Sequence, residues 1–129
     1  MSARTTAQVG RSSRTKGQGG EREAAKLLTE LLGVPVTRRV RNRAGESDLV
    51  GVPGWSVEVK RHRRITYGLI RTWWAQAEQQ AKLEGLRPLL LLRGDGEQWR
   101  CFWFDRYLLC ASPEGWAYWC ELIRGPDRE

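Results

Sequence analysis

Asp48, Glu58 and Lys60 are the residues of this chain whose types and spacing suit chemistry. They stand in two short apolar runs, Ser47–Val52 and Trp55–Lys60, separated by Pro53-Gly54. In a strand, residues i and i+2 project from one face. Glu58 and Lys60 are therefore expected on one face, with Val57 and Val59 turned into a core. Carboxylates are preferred ligands of hard divalent cations. A lysine beside them can orient a water or stabilise charge on a phosphate. The pattern points to metal-dependent cleavage of a phosphodiester, with Asp48, Glu58 and the carbonyl of Val59 as ligands and Mg²⁺ as the ion, Mn²⁺ substituting.

The second acid must converge on the first, and this depends on the turn. A strict two-residue hairpin would set Asp48 opposite Val59 and turn it away from Glu58. A longer loop or a bulge would set it opposite Glu58. Pro-Gly suits type I or II turns, which are poor two-residue hairpin connections. The longer loop, with converging acids, is the expectation.

The remaining elements must hold these strands. Ala24, Leu27, Leu28 and Leu31 form an i, i+3, i+4, i+7 stripe, predicting a helix over 19–32 with Gly33 as its cap. Glu21 and Glu23 flank that stripe, and periodicity does not choose which one leans toward the site. Val34 to Arg41 reads as a strand and Asn42–Glu46 as a loop. Thr66 to Glu84 reads as a helix with Leu69, Trp73, Gln76, Gln80 and Leu83 near one face. Leu89–Arg93 fits a buried strand, and Glu97–Asp105 alternates as another, with Trp99, Cys101 and Trp103 on one side. Ser112-Pro-Glu114 opens a last helix carrying Trp116, Trp119, Cys120 and Ile123. Helix, three strands, helix, two strands, helix predicts a single α/β domain over 19–129: a central mixed sheet flanked by helices. Residues 1–18 have little to bury and read as a flexible basic arm.

Charge narrows the function. The net charge is +7, and residues 38–64 carry eight basic side chains against three acidic ones. Such a surface favours phosphate polymers. Arg14, Lys16, Arg38, Arg39, Arg41, Arg43, Arg61, Arg63 and Arg64 are the expected DNA contacts. Three cysteines without C-x-x-C spacing and a single histidine, His62, argue against a zinc site. No apolar run approaches the roughly 18 residues of a membrane span, and no signal-peptide core opens the chain. An intracellular, cytoplasmic protein is expected. A non-catalytic basic DNA-binding module stays open on this evidence alone.

Lys16-Gly-Gln-Gly-Gly-Glu21-Arg-Glu23, followed by a Leu-rich helix, resembles the opening of archaeal-type Holliday junction resolvases of the PD-(D/E)XK nuclease superfamily. Asp48-Leu-Val and Val57-Glu-Val-Lys60 are similar to that family's active-site strands. The resemblance implies a restriction-endonuclease-like fold. It also implies Glu21, Asp48, Glu58 and Lys60 as the catalytic set, and Mg²⁺ dependence. Gln76 resembles an accessory helix glutamine of some relatives. As partners it implies a second copy of the chain and branched DNA, with paired nicks in a four-way junction during recombination or repair. A nicking, repair or restriction-type nuclease on other DNA is the alternative within the same fold.

Overall fold

The computed structural model describes residues 6–39 and 47–124, with side chains over 17–39 and 47–122. Arg41, Arg43 and the expected 42–46 loop lie outside these, as do the side chains of Arg14, Lys16 and Ile123.

The chain runs α1 (Thr6–Leu32), β1 (Thr37–Arg38), β2 (Leu49–Val50), β3 (Trp55–His62), α2 (Tyr67–Glu84), β4 (Arg87–Gly94), β5 (Arg100–Asp105), β6 (Tyr107–Ala111) and α3 (Pro113–Arg124). The six strands lie side by side in chain order. Among the described residues only β3 and β4 pair in parallel, and α2 makes the crossover between them. The architecture is the expected α/β mixed sheet between helices.

Each face of the sheet has its own core. Ala24, Leu28, Val57, Val59, Leu89, Leu91, Cys101 and Trp116 unite α1 and α3 with one face. Trp73, Ala77, Leu90, Leu92 and Phe102 join α2 to the other. The alternation along β3 follows. Val57 and Val59 enter the first core, so Ser56, Glu58 and Lys60 face α2.

Three expectations are corrected. First, α1 begins at Thr6, not Gly19, so helical backbone covers most of the expected arm. Extending a formed helix adds a hydrogen bond for each residue fixed, without a new nucleus. Second, α2 buries Trp73, Ala77 and Ala81, whereas Leu83 is 67% exposed and Gln76 is exposed. Small alanines let the C-terminal half of the helix lie close to the sheet, and Leu83 turns out. Third, a sixth strand follows Asp105. Asp105 pairs with Tyr107 across Arg106, whose φ is 64°. A left-handed arginine carries none of the Gly or Asn signals that mark such a turn.

Local chemistry sets the ends. Thr66 caps α2 by accepting from the Leu69 N–H at 3.2 Å, and Gly85 closes it with φ 70°. Ser112 caps α3 through the Gly115 N–H at 3.1 Å. Between β2 and β3, Trp55 N–H donates to Val52 O at 3.2 Å, and Gly54 has φ 84°. With Pro53 before it, this is a type II turn. Gly51 has φ 111°, and a Cβ there would stand 2.2 Å from Pro35 O. Gly51→Ala is expected to cost roughly 2–3 kcal/mol through a strained dihedral and a forced backbone shift. Urea unfolding reads this, and an unchanged midpoint refutes it.

Candidate active site

The β2–β3 register answers the question left by the turn. Leu49 pairs with Val57, and the ladder then bulges instead of continuing to a backbone pair of Asp48 with Glu58, so the two acids meet through their side chains. The Asp48 N–H donates to Val57 O at 3.0 Å. Its Oδ2 accepts the Val59 N–H at 2.8 Å. Regular β2 stops at this point, so the Asp48 side chain takes a donor that a longer strand would have used. The N–H and C=O of one strand residue leave on the same edge. The Val59 carbonyl therefore also faces the Asp48 side of β3.

Glu58 is 9% exposed. Burial, then the charge of Asp48 and a hydrogen bond with it, push the Glu58 carboxyl up to about 8, while Lys60 pulls it down. The two carboxyl groups thus converge, with Lys60 on the same strand face.

Glu21 reaches the site from α1. Its carboxyl is raised by burial first and by Asp48 second, and Arg38 opposes both. Arg38 Nε donates to Glu21 Oε1 at 3.3 Å. Gly20 makes this approach possible: a Cβ there would lie 2.6 Å from Arg61 Cβ. Glu23 turns elsewhere, accepting from Arg93 and, at 2.6 Å, from Trp99 Nε1. Periodicity could not choose between the two acids, and packing places Glu21 beside Asp48.

The expected DNA contacts divide. Arg38 is paired with Glu21. Arg39 lies 3.6 Å from Glu84, and Arg61 Nη1 donates to Asp95 Oδ1 at 2.6 Å. Arg63 and Arg64 are exposed beside the site strand. Gln76 is exposed, and a different glutamine of α2 faces the sheet. Glu84 touches Ser56, and Trp73 meets the His62 ring at 5.5 Å. Four helical residues rise about as far as two strand residues, so Gln80 lies level with Glu58. Among the described residues its buried amide nitrogen has no hydrogen-bond partner. Spacing in the sequence did not separate Gln80 from Gln76; only the antiparallel run of α2 over β3 does.

Among the described residues no three His, Cys, Asp or Glu side chains form a metal cluster by themselves. The donor set nonetheless suits a hard divalent ion. Two close carboxylates, of which buried Glu58 has a raised proton affinity, are what such a cation would relieve, and a backbone carbonyl lies on their edge.

A mixed α/β sheet with an acid just before β2 and E-x-K in the middle of β3 places the chain among the PD-(D/E)XK nucleases. The family described as "Phage putative PDDEXK endonuclease" matches residues 12–107, and the chain belongs to it. The UPF0102 protein STH1475 of Symbiobacterium thermophilum is 36% identical over 115 residues, 87% of this chain and 95% of that one. A solved structure of Archaeoglobus fulgidus Hjc, a Holliday junction resolvase, is 17% identical. It covers 76% of this chain and 84% of its own, with a TM-score of 0.48.

Two outcomes are expected here. Glu58 has its proton affinity raised from the ordinary 4.5 to about 8, so the folded state binds the extra proton between these values. Stability of the metal-free protein should then fall as pH rises through that window. Thermal unfolding in chelator at pH 5 and pH 8.5 should show the fall in the native chain and a smaller one in Glu58→Gln; equal slopes would count against it. Gly20→Ala should push α1 off Arg61 and reduce cleavage roughly tenfold or more, with α2 and the sheet still folded by circular dichroism. Full activity in that variant would remove the need for the close approach.

Proposed function

We propose that this chain is a Mg²⁺-dependent endodeoxyribonuclease that cuts branched DNA, four-way junctions above all, as a homodimer placing paired nicks. The convergence of Asp48 and Glu58 beside Lys60 carries the nuclease reading. Asp48, Glu58 and the Val59 carbonyl would hold the ion. When bound, it neutralises charge on the scissile phosphate and acidifies a water.

The protein's own groups do the rest. The Val59 N–H holds the Asp48 carboxylate in the plane of the sheet, which limits its motion and fixes the ligand edge. The Lys60 ammonium, on the Glu58 face of β3, donates to the attacking water or a phosphate oxygen as charge builds there. Glu21, kept in place by Arg38, faces Asp48 from α1 and orients the same water. Arg63 and Arg64 steer the DNA backbone toward the strand end.

The preference for junctions rests on the likeness of the Lys16–Glu23 and Asp48–Lys60 motifs to resolvases. An apolar outer hairpin supports pairing of two copies: Phe104 is 52%, Tyr107 73% and Leu108 45% exposed. A nicking, repair or restriction-type activity on other DNA shares the same site chemistry.

Cleavage of a four-way junction, a flap, a linear duplex and a single strand, with and without Mg²⁺, separates these. Symmetric, metal-dependent cutting of the junction, at least about tenfold above the linear duplex, is expected. Equal cutting of the duplex would transfer the assignment to the alternative. Lys60→Ala and Asp48→Asn should each lower the rate by roughly 10²-fold or more while junction affinity in gel shifts stays within about threefold. Retained cutting in both would refute the site.

A further inference from the structure

Glu84, on the last turn of α2, lies beneath both acid-bearing strands and has no part in the mechanism above. It is 17% exposed, and each of its oxygens is engaged. Oε1 accepts from Ser56 Oγ at 2.5 Å. Oε2 shares the Ser47 hydroxyl with Leu49 O, each at 3.2 Å, and lies 3.6 Å from Arg39 Nη2. Ser47 and Ser56 are both buried. Ser47 is the neighbour of Asp48, and Ser56 stands two residues before Glu58 on the same face of β3.

One carboxylate therefore joins β2 to β3 beside the site, where the regular ladder is only two residues long on β2. Arg39 completes the tie: its Nε donates to Ser47 O at 2.8 Å, and its own N–H donates to Asp48 O at 2.9 Å. A two-residue strand has few bonds to hold its end in register. Glu84 also adds negative charge near Glu58, so apolar or neutral replacements would hold the strands by a different balance.

We propose that Glu84 is a positioning residue of the nuclease site, a carboxylate clamp that sets the distance between Asp48 and Glu58 through Ser47 and Ser56. It rests on the nuclease reading for its consequence in metal binding, but its structural part does not. Groups that orient metal ligands from behind typically change metal affinity 10- to 100-fold when removed.

The test uses the full chain with Glu84→Ala, Glu84→Gln and Ser56→Ala. Two readouts are taken: Mn²⁺ affinity by calorimetry, and exchange of the Val59 amide, the donor to Asp48, by NMR. Glu84→Ala should weaken Mn²⁺ binding roughly 10- to 100-fold. It should also speed Val59 exchange beyond any change at the Leu90 and Leu91 amides of β4, which report global stability. Glu84→Gln keeps one acceptor and should recover part of both effects. Ser56→Ala should reproduce part of the loss and make Glu84→Ala less than additive with it. If Glu84→Ala lowers stability while Mn²⁺ affinity and Val59 exchange relative to β4 stay unchanged, Glu84 only fastens a helix end and the proposal is overturned. If the unaltered chain binds no Mn²⁺ and cuts no DNA, the nuclease reading falls, and Val59 exchange alone then decides whether the clamp exists.

Discussion

Asp48 and Glu58 repel each other when both are charged, and the surrounding chain holds them together regardless. Glu58 is buried on a central strand that cannot yield, because β3 pairs along its whole length with β4. Asp48 is on a two-residue strand that could. Its side chain is fixed by a backbone N–H of the neighbouring strand, and its backbone is tied to β1 and β3. A carboxylate pair kept close at the cost of a shared proton is a poor device for stability. It is a good one for receiving a cation, whose charge reverses the repulsion.

The charges around the pair are arranged by strand alternation. Arg38 ends β1 and Arg39 follows it in extended chain, so their side chains leave opposite faces. Arg38 meets Glu21 on the α1 side, and Arg39 meets Glu84 on the α2 side. Two adjacent arginines, which as a sequence look like a DNA-contact patch, thus act as countercharges to acids on both faces of the sheet. At the other end of β3 the chain uses aromatic packing. Arg87 lies 4.4 Å from the Trp55 ring and 5.2 Å from that of Trp119, while Trp55 meets Trp116 edge-on. The tryptophans of the last third of the chain therefore build the α3 core and leave the site strand rigid at its base.

Much of this was legible in the residues. The 3.6 period of α1, the alternation of Val57 and Val59, the apolar run of β4 and the caps at Thr66, Gly85 and Ser112 are local signals, and each lies within or at the end of the element it marked, although α1 starts well before its stripe. The type II turn at Pro53-Gly54 is local too. The unmarked hairpin at Arg106 and the inward face of α2 were not legible. Both are decided by what the sheet offers to pack against, which no window of neighbouring residues contains.

The sequence by itself determined the types and order of the candidate site residues: an acid on a helix, an acid before a turn, and an acid and a lysine two apart on a strand. Strand alternation and turn chemistry act over a few residues, so they could be read directly. Tertiary structure decided which of two equally spaced acids faces the site, because Gly20 lets α1 close on Arg61. It decided which α2 glutamine lies over Glu58, since that depends on the direction in which the helix crosses the sheet. It also brought Glu84 to Ser47 and Ser56 across 37 and 28 residues of chain. Contacts at such separations are set by the parallel crossover of β3, α2 and β4, and by nothing within reach of the residues themselves.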